Sequence, residues 1–212
     1  MRSRTGSGKT LAFALPLLSK LLADKDHSGG SKDHSSAVRA VLLAPTKELC
    51  KQIEKQVVDL IYYCRDVISI CSLSEDNAGA LQFKLKRKPD IIISTPAKVV
   101  QSCQSGLLDL SNVQVLVIDE ADLVLSFGYS EDITYITSQL PKIFQGLLVS
   151  ATLSPQLEKF KKVVLHNPVV VKVDDNVSND NLLQFYLESS ESDKFLIIYV
   201  FIKLGLLQVR KQ

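Results

Sequence analysis

Nearly continuous apolar runs alternate with segments of helical period along most of this chain. VRAVLLA from Val38, DVISICSL from Asp66, DIIIS from Asp90, VQVLVID from Val113, GLLVS from Gly146 and PVVVKV from Pro168 each read as a strand covered on both faces. Between them, apolar positions recur at helical spacing over residues 9–23, 46–63, 77–86, 96–105, 130–140 and 154–165. Strand and helix in alternation predict an α/β domain whose mostly parallel β-sheet is flanked by helices and joined by right-handed crossovers. Ligands of such a sheet belong at the carboxyl ends of its strands.

Breaks in the pattern mark the organisation. The polar, glycine- and serine-rich stretch over residues 24–36 predicts a surface loop. The polar run DDNVSNDN at residues 174–181 ends the alternation, so the domain is expected over 1–173, followed by a linker over 174–192. DKFLIIYVFIKLGLL, from Asp193, is apolar on almost every face and reads as a helix that must be buried all round.

Composition narrows the classes without choosing among them. The chain has 212 residues, 46% of them hydrophobic, which is ample for a large core and too apolar for intrinsic disorder. Lys and Arg number 25 against 23 Asp and Glu, a net charge of +2, so no overall field demands a polyanionic partner. No apolar run approaches the roughly 18 residues of a membrane span, so no membrane partner is expected. Cys50, Cys64, Cys71 and Cys103 form no CxxC pair, which predicts reduced thiols.

The strongest chemical signal is TGSGKT at residues 5–10, opening a helical segment. Gly6 and Gly8 let the backbone wrap an anion, the following helix start aims N–H groups at it, and Lys9 adds a point charge. Thr10 offers a hydroxyl to Mg²⁺. Ser3 stands where the full phosphate-loop pattern wants a glycine, and a glycine/serine turn capping a helix is the bland alternative. Against it stands VLVIDEAD, a buried strand ending in Asp119, Glu120, Ala121 and Asp122. Asp119 is placed to hold the metal, and Glu120 to orient and deprotonate an attacking water. Carboxylates after a strand also serve as helix-start residues, and that role is compatible with the catalytic one.

These motifs, with three more in order, resemble the first RecA-like P-loop domain of a DEAD-box ATP-dependent RNA helicase of helicase superfamily 2. TGSGKT resembles motif I, PTKEL at residues 45–49 motif Ia, TPAK at 95–98 motif Ib, DEAD at 119–122 motif II and SAT at 150–152 motif III. The resemblance implies ATP as the nucleotide and Mg²⁺ as its metal. Thr5, Gly6, Ser7, Gly8, Lys9 and Thr10 would hold the phosphates, with Thr10 and Asp119 on the metal. Asp122 would couple to Ser150 or Thr152, while Pro45, Thr46, Lys47, Glu48, Thr95, Pro96 and Lys98 would grip RNA phosphates. Contacts of that kind read backbone rather than bases. VIDEADLVLSFGY, with PTKEL and DKFLIIYVFIKLGLL, is similar to a nucleolar branch involved in large ribosomal subunit biogenesis, which implies pre-ribosomal particles as partners and a nuclear, nucleolar location; otherwise the protein would be cytoplasmic.

Departures from the pattern bear on the RNA grip. Lys47 and Lys98 stand where arginines are usual, and lysine loses the bidentate fork. The usual glycine pair is missing from LSEDNAG at residues 73–79. The basic run KLKRK at 84–88 reads as a solvated helix end before Pro89. Only four residues precede Thr5, and the sequence stops soon after its last helix. The chain therefore reads as cut at both ends, lacking a first strand and an adenine-reading glutamine motif, with residues 193–212 as the opening helix of an absent second domain. Such a chain is expected not to unwind RNA alone. Competing readings are another P-loop ATPase, or a non-catalytic fragment that binds RNA or a partner protein.

Overall fold

A computed structural model describes residues 8–27, 37–74, 78–152, 155–165, 167–171 and 186–206. The chain falls into two compact units, Met1–Asp174 and Asp175–Gln212. In the first, strands β1 (Ala40–Leu43), β2 (Ile70–Ser72), β3 (Ile91–Ser94), β4 (Val115–Ile118) and β5 (Gln145–Leu148) form one sheet in the order β2-β3-β1-β4-β5. Every adjacent pair is parallel, with Ala40 beside Ile91 on one side and Val115 on the other. β1, β3 and β4 are buried at every position, which is why they read as unbroken apolar runs.

Helices α1 (Lys9–His27), α2 (Lys47–Leu60), α3 (Ala78–Lys86), α4 (Pro96–Gln104), α5 (Ala121–Ser126), α6 (Ser130–Gln139) and α7 (Pro155–Val164) cover the two faces. Successive strand residues alternate between them. Ala40, Leu42, Ile93 and Val117 pack with Phe13 and Leu17 of α1 and with Ile53 and Val57 of α2. Val41, Leu43, Ile92 and Leu116 pack on the other face with Val99 of α4, Ile133 and Ile136 of α6, and Phe160 of α7. β5 and α7 approach so closely that a Cβ at Gly146 would overlap the carbonyl of Val164.

Four expectations need correction. α1 runs to His27, past the expected end at residue 23, and carries Pro16 inside it. The run from Asp66 yields only the three residues of β2, because residues 61–68 turn back on themselves, with the Cys64 N–H donating to the Ile61 carbonyl and Ile68 N–H to that of Cys64. A separate short helix, α5, begins inside the acidic tetrad, at Ala121. The run from Pro168 forms no strand over residues 168–171. Val169, Val170 and Val171 are exposed, and among the described residues β5 pairs with β4 alone, so no ladder reaches them. The rest of the loop expected at 24–36 lies outside the described residues beyond His27.

The second unit carries α8 (Lys194–Lys203), none of whose residues is buried. Among the described residues no helix is long and apolar enough to cross a membrane, and no disulfide joins the four cysteines.

Candidate functional site

The parallel order brings the carboxyl ends of β1, β3, β4 and β5 to one edge, where four of the five sequence motifs lie. The fifth opens α1. Gly8 precedes that helix at φ +80°, a left-handed conformation that suits glycine, with open space where a Cβ would stand. Lys9 is buried and Thr10 half-buried; Thr5, Gly6 and Ser7 lie outside the described residues.

β4 leads into the acidic tetrad, whose backbone is tied across the sheet. Asp119 N–H donates to the Leu43 carbonyl and Ala121 N–H to the Val149 carbonyl, each at 2.9 Å. Between them Glu120 takes φ 47° and ψ 52°, a left-handed conformation that costs a non-glycine residue about 1–3 kcal/mol. The strain aims its side chain at α1. Lys9 Nζ lies 3.0 Å from Glu120 Oε1, with side chains 6% and 11% exposed. Glu120 N–H donates to Asp119 Oδ1 at 2.9 Å. Burial pushes the Asp119 carboxyl above its usual range; the neighbouring Glu120 and Asp122 carboxylates add to the rise, while the Glu120 N–H bond and Lys9 oppose it.

These groups line a cavity of about 420 Å³ together with Leu49, Gln52 and Gln56 of α2. Gln52 and Gln56 were not singled out from sequence. They stand four residues apart beside Ile53, which lines the same cavity, and in sequence they are only polar positions of an amphipathic helix. The donor set fits an anionic nucleotide and its metal: Lys9 at a helix start for phosphate, and a buried carboxylate with a nearby hydroxyl for a hard, oxygen-seeking cation.

Asp122 connects this cavity to the end of β5. Thr152 Oγ1 donates to Asp122 Oδ2 at 2.7 Å, and Thr152 N–H donates to Ser150 Oγ at 3.3 Å. Partial burial pushes the Asp122 carboxyl up, but hydrogen bonds from Thr152, Ser150 and the Leu123 N–H outweigh it and hold the group below its ordinary range.

The remaining motif residues follow β1 and β3, which are paired at Leu43 and Ser94. Thr46 caps α2, its Oγ1 accepting from Leu49 N–H at 3.2 Å. Lys47 and Glu48 are exposed on the first turn, while Pro45 is buried beneath them. Thr95 makes no side-chain cap bond; it and Pro96 are buried at the start of α4, and Lys98 Nζ donates to Gln101 Oε1 at 3.0 Å. The basic run at 84–88 closes α3 ahead of the amino end of β3, away from this edge.

A lysine at a helix start, paired with the acidic end of a buried parallel strand, defines a P-loop nucleotide-binding α/β domain. The family model described as "DEAD/DEAH box helicase" matches residues 1–160, and the chain belongs to that family. It is 41% identical over 210 residues to the "Probable ATP-dependent RNA helicase ddx56" of Dictyostelium discoideum, an alignment covering 98% of this chain and 30% of that protein. It is 38% identical over 208 residues to the "ATP-dependent RNA helicase dbp9" of Schizosaccharomyces pombe, covering 98% and 34%. The crystal structure of the yeast DEAD-box splicing factor Prp28 matches with a TM-score of 0.68 at 28% identity, over 78% of this chain and 38% of that one. The chain thus spans about a third of the length of these curated relatives.

Proposed function

We propose that this chain is the nucleotide-binding half of an ATP-dependent RNA helicase, in which ATP binding and hydrolysis are coupled to gripping and remodelling RNA. The observation that carries this reading is the Lys9–Glu120 pair, since it joins the phosphate-loop lysine to the residue that would activate water. The Lys9 ammonium has further N–H donors to offer a phosphate while it faces Glu120, and Glu120 would orient and deprotonate the attacking water. Asp119 and Thr10 would hold Mg²⁺, whose charge offsets the negative charge developing on the transferred phosphoryl group. Thr5, Gly6, Ser7 and Gly8 would complete the phosphate cradle.

Asp122, bonded to Thr152, passes the state of that cradle to the end of β5. RNA would lie along Thr46, Lys47, Glu48 and Lys98, with Pro45, Thr95 and Pro96 shaping the turns beneath. Contacts there are to phosphates, so binding should weaken steeply with salt and vary little with sequence. Kinship with relatives named as RNA helicases supports RNA as the substrate class. Pre-ribosomal particles as partners, and a nucleolar location, rest on the resemblance of VIDEADLVLSFGY, PTKEL and DKFLIIYVFIKLGLL.

Titration of a fluorescent ATP analogue with Mg²⁺ into the purified chain tests the reading, alongside Asp119→Asn and an ATPase assay with and without single-stranded RNA. Magnesium-dependent binding lost in Asp119→Asn is the expected result. Absence of nucleotide binding in a cooperatively folded chain would favour a non-catalytic RNA- or protein-binding role.

A further inference from the structure

α2 lends Leu49, Gln52, Ile53 and Gln56 to the cavity of about 420 Å³ beside Lys9 and Glu120. The charged lining of that cavity is one cation, Lys9, against two carboxylates, Asp119 and Glu120. Lys9 Nζ already donates to Glu120 Oε1 at 3.0 Å, which takes up part of its donor capacity. On the α2 side, Leu49 and Ile53 have no side-chain donor, whereas each glutamine carboxamide carries two N–H donors and no charge. Both glutamines are exposed, so neither is committed to the core as Cys50, Ile53 and Val57 of the same helix are. α2 runs away from the carboxyl end of β1, where the Leu43 carbonyl accepts from Asp119 N–H at 2.9 Å. Gln52 therefore stands about 6 Å nearer than Gln56 to the edge that carries the two carboxylates.

We propose that Gln52 is a specificity-determining residue of this cavity, its carboxamide N–H donating to the terminal phosphate of a bound nucleoside triphosphate. The inference rests on the reading of the cavity as an ATP site. A terminal phosphate brings further negative charge to a place that already holds Asp119 and Glu120. Lys9 divides its donors between Glu120 and the phosphates, so the phosphate oxygens on the α2 side need another partner. Gln52 supplies that donor without adding a charge of its own. A phosphate-loop lysine reaches the β- as well as the γ-phosphate, so Lys9 serves a diphosphate and a triphosphate alike. The bond from Gln52 is made to the triphosphate alone. Gln52 thereby sets how tightly the substrate of hydrolysis is held relative to its product.

The test is calorimetric titration of the full chain with a non-hydrolysable ATP analogue and with ADP, each with Mg²⁺. Gln52→Met keeps the length of the side chain and removes the amide. It should weaken the triphosphate analogue by about tenfold, the scale of one hydrogen bond to a charged group, and leave ADP within about twofold. Gln52→Glu should weaken the triphosphate further, since it sets a third carboxylate against the phosphate. Both variants should melt as the wild type does, and Gln52→Ala serves if either melts early. Gln56→Met should leave both affinities within about twofold. Equal weakening of the two nucleotides by Gln52→Met, or weakening of neither, overturns the proposal while the ATP site stands. A loss of triphosphate affinity confined to Gln56→Met overturns the assignment to Gln52. Wild-type chain that binds neither nucleotide overturns the ATP site itself and the proposal with it.

Discussion

Lys9 and Glu120, 111 positions apart in sequence, meet at 3.0 Å as a buried ion pair. Removing one partner leaves the other charged and buried, which costs about 3–5 kcal/mol, whereas removing both is far cheaper. Urea denaturation should therefore find Lys9→Met and Glu120→Gln each strongly destabilised. The double variant should return to within about 1–2 kcal/mol of wild type. Additive losses in the double variant would show that the pair contributes nothing as a pair.

Asp119 is held in a place that favours its neutral form. With its pKa raised in the folded state, the native chain binds a proton that the unfolded chain does not over the window just above the ordinary carboxylate range, so stability falls as pH rises through that window. Asp119→Asn, measured with chelator and without nucleotide, should melt higher than wild type at neutral pH, by about 2–4 °C for each kcal/mol released. The same substitution should abolish magnesium-dependent nucleotide binding, a trade of function for stability.

Thr152→Val removes the donor to Asp122 and should cost about 1 kcal/mol near neutral pH. The Asp122 carboxyl is held low, so its stabilisation is complete above the ordinary carboxylate pKa and is lost as pH falls through the lowered value. The difference between Thr152→Val and wild type should therefore shrink in acid. In RNA-stimulated ATPase assays of a chain that turns over ATP, the variant should lose stimulation more than basal rate.

Gly146→Ala should destabilise by about 1–3 kcal/mol, because the added Cβ would press on the Val164 carbonyl and the Leu165 side chain where α7 crosses β5. Thermal melts check this, and nucleotide affinity should be retained once the variant is folded.

Burial pushes the Cys50 and Cys103 thiols up to about 11. Alkylation near pH 8, followed by mass spectrometry, should modify both slowly in the folded chain and rapidly in urea. Since the unfolded thiols ionise near 9 and the folded ones near 11, stability should fall as pH rises between those values.

Much of this was legible in sequence because buried parallel strands announce themselves as unbroken apolar runs, and Ala40–Leu43, Ile91–Ser94 and Val115–Ile118 are buried at every position. The motif residues could be placed at strand ends for the same reason. Two things escaped. The apolar run from Pro168 has a strand's composition but no partner to share hydrogen bonds with among the described residues, and strand identity depends on the neighbour as much as on the residues. Gln52 and Gln56 line the cavity beside Lys9 and Glu120 only because α2 packs beside the start of α1, a fact of helix placement that no local pattern carries.

The sequence by itself determined the chemistry available: a lysine at a helix start, an acidic tetrad at a strand end, a threonine after the last strand, and the alternation that makes an α/β sheet. Tertiary structure alone decided the strand order that brings β1, β4 and β5 side by side, the left-handed backbone that turns Glu120 toward Lys9, and the rise of the Asp119 pKa through burial. The physical reason is range. Propensity and periodicity act over a few residues along the chain, whereas a buried charge is stabilised or penalised by whatever packing brings within a few ångströms of it.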